Sequence, residues 1–359
     1  MFLSFASTAA AVWGKAWPII VAILFFGFVV MSHELGHFCF AKLFKVKVDE
    51  FAIGMGPKIF KVKKGETTYA LRLFPVGGLV SMDGEDKESD NDRAFCNKPV
   101  WQRFIIVAAG ATINILLGFI LIVIMLSASD LIGTMEVRSF ADNASTQACG
   151  LQVGDKITAI NGNHVFSDLD MSFLLQRDKD ATVDFTVKRD GKKTELKNVK
   201  FDTYDKDGRQ VMVFDFVIVG VRPSPLPVIK YSVGETVSVV RMVWLSLFDL
   251  ITGQYHLSDM SGPIGVVSYI ADAAEQSTKA DPTPFLMLTA LIAINIGVFN
   301  LLPVPALDGG RLFFMLIEMI RRKPIPQKYE SAIHAVGLIL LLAFMALISV
   351  NDVLNLIRG

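Results

Sequence analysis

The chain reads as a polytopic α-helical membrane protein of about four transmembrane helices, with a membrane-associated β-hairpin region and one inserted soluble α+β domain. Three observations lead there. Of 359 residues 52% are hydrophobic and only 19% charged, with a mean hydropathy of +0.47, more apolar than a soluble domain of this length sustains. Four apolar runs are long enough to cross a bilayer core of roughly 30 Å. Between the second and third of them, residues 132–222 turn polar, with short strand-like alternations separated by turn dipeptides. Lys plus Arg and Asp plus Glu balance at 35 each, so neither a nucleic-acid footprint nor a preference for acidic substrates is expected. Cys39, Cys96 and Cys149 are odd in number and share no CxxC spacing, which argues against a disulfide framework and a thiolate metal site. They read as small buried hydrophobes.

The first segment, residues 1–40, carries an apolar run from 17 to 31 that continues through two histidines to Phe40. Its flank holds one basic residue, Lys15, and no small-residue cleavage site follows, so a retained helix is expected rather than a removable signal. Residues 41–103 form a basic region with twelve Lys or Arg. Strands over 60–63 and 67–73 are expected around a Lys64-Gly65 turn, with Pro57, Pro75, Gly77 and Gly78 punctuating the ends. By the positive-inside bias this hairpin belongs on the cytoplasmic side. Residues 104–131 supply the second span, where Gly110, Ala111 and Gly118 suit close helix packing.

The domain at 132–222 pairs strand signals at 183–187 and 194–199 across Asp190-Gly191, and another turn is expected at Asp207-Gly208. A short helix should start near Ser167 or Asp168, either of which can cap it. The string Ala148-Cys149-Gly150-Leu151-Gln152-Val153-Gly154-Asp155-Lys156-Ile157, with Ile160-Asn161-Gly162, resembles a PDZ domain of the bacterial protease type. Such domains add an extended peptide to a sheet edge. Within 223–284, residues 237–251 are apolar at helical spacing but carry Arg241 and Asp249, which predicts an amphipathic helix in the outer interface. Residues 285–331 hold the third span, a proline-broken segment at 303–307, a resumed helix over 311–320 and a second basic loop. The fourth span is expected over 334–350, within 332–359. With four spans, both basic loops are cytoplasmic and the PDZ-like domain lies outside.

Chemistry concentrates in His33-Glu34-Leu35-Gly36-His37. Four residues apart on a helix, His33 and His37 project from one face and can share a metal ion, leaving Glu34 as candidate general base. A carboxylate facing lipid costs about 2.5–3.5 kcal/mol on insertion scales, so the cluster needs a polar setting. The bland alternative is a histidine pair hydrogen-bonded inside a helix bundle. Two protein ligands leave a zinc site incomplete. Phe40 and Leu43 stand where a soluble metzincin would place Gly and His, and Glu50 and Glu66 lack a helical frame. His164 and His256 fall in other segments, and His334 is expected to be packed or lumen-facing, with a supporting role open. Asp308 is the better third ligand, because topology returns it to the membrane face of His37. Its simpler reading is a helix cap before Arg311.

Together with Phe51-Ala52-Ile53-Gly54-Met55-Gly56-Pro57, Phe74-Pro75-Val76-Gly77-Gly78, Ser261-Gly262-Pro263-Ile264-Gly265 and the segment from Asn300 to Gly310, these features resemble the site-2 proteases, the intramembrane zinc metalloproteases. The likeness is to bacterial members that release regulators of alternative sigma factors. It implies that His33, His37 and Asp308 bind Zn²⁺, that Glu34 is the base, and that Asn300 positions the substrate or steadies the oxyanion. It also implies that a hairpin near 58–74 dips into the membrane and lends an edge strand to an unwound substrate helix. The chain departs by reading Ala111 where many relatives have Pro after the Gly, and by inserting a single PDZ domain.

The expected function is therefore cleavage of single-pass membrane proteins in a bacterial cytoplasmic membrane, of an anti-sigma factor or similar tethered regulator, or of signal-peptide remnants. The PDZ-like domain is expected to take a peptide C-terminus on the extracytoplasmic side, with the catalytic site toward the cytoplasm. A non-catalytic PDZ scaffold and a divalent-cation transporter are the competing classes. Neither needs an acid beside a metal ligand.

Overall fold

In the computed structural model, which describes residues 2–85, 87–178, 180–206, 209–254, 262–277 and 281–358, the chain divides into two units. One comprises Met1–Gly118 with Asp249–Gly359, the other Phe119–Phe248. The expected turn at Asp207-Gly208, together with His256 and Ser261, lies outside the described residues.

The first unit opens with α1 (Phe2–Leu43), followed by β1 (Val48–Lys64), β2 (Thr67–Met82), a 3-10 turn at Phe95–Asn97 and the start of α2 (Val100–Ala128). Four helical segments are long and apolar enough to cross a membrane: Ala16–Leu43, Val100–Ala128, Thr283–Leu301 and Lys328–Val350. Their outward faces leave Ile19, Leu24, Phe28, Leu116, Ile120, Ile339, Leu340 and Leu347 exposed, which is tolerable only with lipid as the solvent. Small residues set the helix crossings, as expected of Gly118. A β-carbon there would lie 2.3 Å from Ile294 Cγ1.

The strands are longer than the two short ones expected, and Pro57, Pro75, Gly77 and Gly78 fall inside them. Glycine explains the difference. Gly54 sits at φ +85 with the Phe74 carbonyl 2.3 Å from where its β-carbon would be, so β1 bends instead of ending. The register consequently doubles: Glu50, Phe51, Ala52 and Ile53 pair with Ser81, Val80, Leu79 and Gly78 on one side and with Thr68, Tyr69, Ala70 and Leu71 on the other. The second arm of β1 then pairs Phe60 to Lys64 with Leu71 to Thr67. Four strand segments thus lie side by side, in the order 78–82, 48–53, 67–72, 58–64.

The second unit contains β3 (Ile132–Phe140), α3 (Ser145–Ala148), β4 (Lys156–Ile160), β5 (Asn163–His164), α4 (Asp168–Arg177), β6 (Thr182–Arg189), β7 (Lys192–Lys200), β8 (Thr203–Lys206), β9 (Arg209–Met212) and β10 (Phe216–Val221). The main sheet runs β10-β3-β4-β6-β7, with β5 beside β4, and leaves β10 at an edge. Val137, Leu151, Ile157, Ile160, Leu175, Phe185 and Val187 form its core. Ser167 caps α4 as expected, accepting from the Asp170 N–H at 3.2 Å. Asp155 of the Gly-Asp motif is fully buried and accepts a two-pronged bond from Arg189, both arms at 2.7 Å. This antiparallel arrangement is consistent with an inserted PDZ-like domain.

Helix α5 (Pro225–Ile251) is longer than the expected stretch from residue 237, because Pro225 is tolerated at a helix start. Arg241, within that stretch, is engaged by the protein itself. Its guanidinium bonds the Asp170 carboxylate and the His164 carbonyl and lies over the Phe166 ring. The chain then re-enters the first unit through α6 (Pro263–Gln276), a separate helix within the segment expected at the interface, and α7 (Thr283–Leu301). It closes with α8 (Asp308–Arg321) and α9 (Gln327–Arg358).

Candidate active site

The HExxH residues lie on α1, inside the membrane-crossing part of that helix. Both imidazoles are buried, and the helical offset of four residues brings their Nε2 atoms to 3.1 Å of one another. Glycine makes the room. A β-carbon at Gly110 on α2 would stand 2.4 Å from His37 Nε2 and 2.8 Å from His33 Cε1. His37 Nδ1 meets the Ile106 carbonyl of α2 at 2.9 Å, which fits an Nδ1–H donor and leaves the Nε2 lone pair for a ligand. One turn earlier, Ser32 Oγ lies 2.9 Å from the fully buried Asn114 amide, joining the same two helices.

Asp308 arrives from the far end of the sequence. Pro303 and Pro305 cannot continue α7, so the chain turns and restarts as α8 with Asp308 as its first residue. Leu307 holds the cap position, so the carboxylate is not consumed in capping. It points instead at the imidazoles, with Oδ2 at 3.0 Å from His33 Nε2 and 3.2 Å from His37 Nε2. Gly309 allows the tight restart, because a β-carbon there would come within 2.0 Å of the Leu302 carbonyl oxygen. Charge pairs hold the rest of α8: Arg311 with Glu85, and Glu318 with Arg103 at 2.5 Å. Ala41, Val46, Val48, Val80, Ile106, Leu312 and Met315 form one apolar cluster contributed by α1, the loop after it, the strands, α2 and α8.

A metal ion fits this triangle. Zinc holds nitrogen and oxygen ligands at about 2.0–2.1 Å, so adjacent corners of its tetrahedron stand about 3.3–3.4 Å apart. The three donor atoms here form edges of 3.0, 3.1 and 3.2 Å. Two neutral imidazoles and a carboxylate suit zinc, and three protein donors leave the fourth corner open, as catalytic zinc sites require. Among the described residues, no other group of three His, Cys, Asp or Glu side chains converges in this way.

Glu34, half-buried, faces the strands. A β-carbon at Gly78 would lie 2.5 Å from Glu34 Cγ, so the strand segment beginning at Gly78 runs directly past the Glu34 side chain. Gly78 belongs to the Phe74-Pro75-Val76-Gly77-Gly78 segment expected at a strand end, but nothing in its spacing announces the approach to Glu34. Asn300 stands half-buried in the last turn of α7, and no hydrogen bond among the described residues ties it to the triangle. His164 belongs to β5 of the other unit, and His334 lies on α9. Glu66, at the hairpin turn, is drawn down to about 2 by Arg93 and Lys42, which bond it at 2.7 and 2.9 Å. That pairing fastens the hairpin to the end of α1.

Comparison with known proteins agrees with the site's chemistry. The family model of peptidase family M50 matches residues 21–344. A candidate zinc metalloprotease of Clostridium perfringens is 39% identical over 337 residues, covering 94% of this chain and 98% of its own length. The regulator of sigma-W protease RasP from Bacillus subtilis is 30% identical, covering 94% of this chain and 98% of itself, and the zinc metalloprotease RasP of Bacillus licheniformis is also 30% identical, over 94% and 99%. With a match of this extent, the chain belongs to peptidase family M50, the site-2 proteases, and is a multi-pass intramembrane zinc metalloprotease.

Proposed function

We propose that His33, His37 and Asp308 hold the zinc, that Glu34 is the general base, and that Asn300 positions the substrate peptide or its oxyanion. The observation that carries this is the triangle of Nε2, Nε2 and Oδ2 atoms, closed by residues 271 positions apart. Zinc bound there supplies Lewis acidity, which lowers the pKa of water toward neutrality and polarises a peptide carbonyl. Glu34 takes the proton from the attacking water and delivers it to the leaving amide nitrogen. The substrate must be extended, because a helical peptide bond is shielded by its own hydrogen bonds. Two edges of the four-segment sheet could receive an extended strand, and the one starting at Gly78 touches Glu34. The exposed Ile59, Phe60, Val62, Leu73 and Phe74 of the other arm suit membrane contact.

The substrate class is a single-pass membrane protein whose outer domain another protease has shortened, such as an anti-sigma factor or similar tethered regulator. The RasP relatives, one of them named a regulator of sigma-W protease, support that choice. The PDZ-like domain receives the new C-terminus, with β10 and β7 as the edge strands of its main sheet. Charge bias puts the strands and the 321–328 loop in the cytoplasm and the PDZ-like domain outside a bacterial cytoplasmic membrane. The test is cleavage of a tethered-regulator transmembrane segment by purified full-length protein. Glu34→Gln should retain zinc and lose about 10²–10⁴-fold in kcat, the usual contribution of a general base. Asp308→Ala should lose both zinc and activity. Normal cleavage by both variants would sink the assignment.

A further inference from the structure

Helix α9 touches the rest of its unit through a narrow stripe. Of the residues from 331 to 340, only His334 and Gly337 are even half-buried. Both bear on the turn that aims Asp308. The Ala306 N–H donates to His334 Nδ1 at 3.0 Å. A β-carbon at Gly337 would lie 2.4 Å from Pro305 Cβ and 2.7 Å from its carbonyl oxygen. The turn needs such a brace. Ala306 sits at φ +81, a conformation that costs an L-residue about 1 kcal/mol or more and persists only where its surroundings impose it. Ala306 is two residues from Asp308, and His334 also limits the next turn, its Cε1 lying 3.1 Å from a β-carbon position at Gly310. The ring itself is steadied against Phe314, with centroids 5.9 Å apart.

We propose that His334 is a positioning residue for the metal site: its Nδ1 accepts the Ala306 N–H and so holds the 303–307 turn in the one conformation that points Asp308 at His33 and His37. This rests on the reading of Asp308 as a ligand. A neutral imidazole with its proton on Nε2 is the form that can accept this bond. Packing alone would be served by any side chain of similar size. Positioning requires an acceptor at the Nδ1 point, one bond beyond Cγ.

The two amide residues separate these roles, because Asn carries its oxygen one bond beyond Cγ and Gln one bond further out. The measurement is zinc affinity by chelator competition in purified full-length protein, with the absorption spectrum of the Co²⁺-substituted form as a second readout. His334→Asn should stay within about threefold of the parent affinity and keep its Co²⁺ bands, while His334→Gln and His334→Leu should bind zinc roughly tenfold or more weakly with altered bands, the scale of outer-sphere effects on metal sites. Parent-like affinity and bands in all three variants, with Asp308→Ala losing zinc, would overturn the role of His334 and leave Asp308 standing. Equal weakening in all three, Asn included, would reduce His334 to packing. An Asp308→Ala protein that binds zinc and Co²⁺ like the parent would instead remove the ligand reading itself. Should His334→Leu fail to fold, the Asn and Gln pair still decides the matter.

Discussion

Single atoms govern this site, and the most telling are ones that are missing. Gly110 has no β-carbon in a place where one would meet both imidazoles. Gly110→Ala therefore sets two effects against each other. Alanine is intrinsically better than glycine inside a helix by about 1 kcal/mol, so thermal stability should hold or rise. Zinc affinity should nonetheless fall at least about tenfold, since ligands displaced by a few tenths of an ångström lose their geometry. Thermal unfolding and chelator competition on one preparation test the pair of signs. A variant with unchanged zinc affinity would show that the imidazoles swing aside freely.

Between elements, the junction of α5 with α4 carries an electrostatic feature that the protease chemistry does not use. Gly234 packs against the Phe166 carbonyl, Ser238 bonds Ser167 at 3.0 Å, and Arg241 bonds Asp170. Buried beside them is Glu235, pushed up from an ordinary 4.5 to about 9, first by burial and then by the Asp168 carboxylate that shares its proton. Asp170 adds to this field, and a hydrogen bond with Ser167 works against it. Because the folded value lies above the unfolded one, Glu235 weakens the junction as pH rises: the contribution is intact below about 4.5 and lost progressively toward 9. Amide exchange of residues 225–248 in the full-length protein, corrected for intrinsic rate, should lose protection between pH 5 and 9. Glu235→Gln, which mimics the neutral form, should flatten that dependence. Equal slopes in the two proteins would refute the shared proton.

At the scale of the whole chain, the bilayer is the solvent that makes the fold possible. α9 leaves Val336, Leu338, Ile339, Leu340, Leu342, Leu347 and Val350 exposed, a stripe that water would not tolerate but lipid does. The proposed orientation has natural reporters in the free cysteines, which are exposed or partly exposed and not the buried hydrophobes expected. Cys149 lies in the PDZ-like domain and Cys96 in the basic region after the strands, both partly accessible. In single-cysteine variants, a membrane-impermeant maleimide applied to intact spheroplasts should label Cys149 and spare Cys96 until the membrane is opened. The reverse pattern would invert the topology.

Much of this was legible along the chain because the signals are local. An apolar run of about the length that a bilayer needs is a helix whatever surrounds it, so all four membrane-crossing segments were expected, and the HExxH spacing implies one helical face. A Gly-Asp motif and regular turn dipeptides announced the PDZ-like domain. Other features were not legible, because they depend on which distant backbone comes close. The strand signals could not show that Gly54 lets β1 bend and pair twice, or that Arg241 of the helix expected at the interface turns to Asp170. Nor could residue 78 be known to pass Glu34, or His334 to accept a hydrogen bond from the turn before Asp308. The sequence by itself determined the membrane class, the helical pair of histidines and the chemistry they favour, since each follows from composition or from a fixed helical pitch. Only the tertiary structure decided that Asp308 meets them at 3.0 and 3.2 Å, since closing that triangle depends on how α1, α2 and α8 pack around glycines too small to keep them apart.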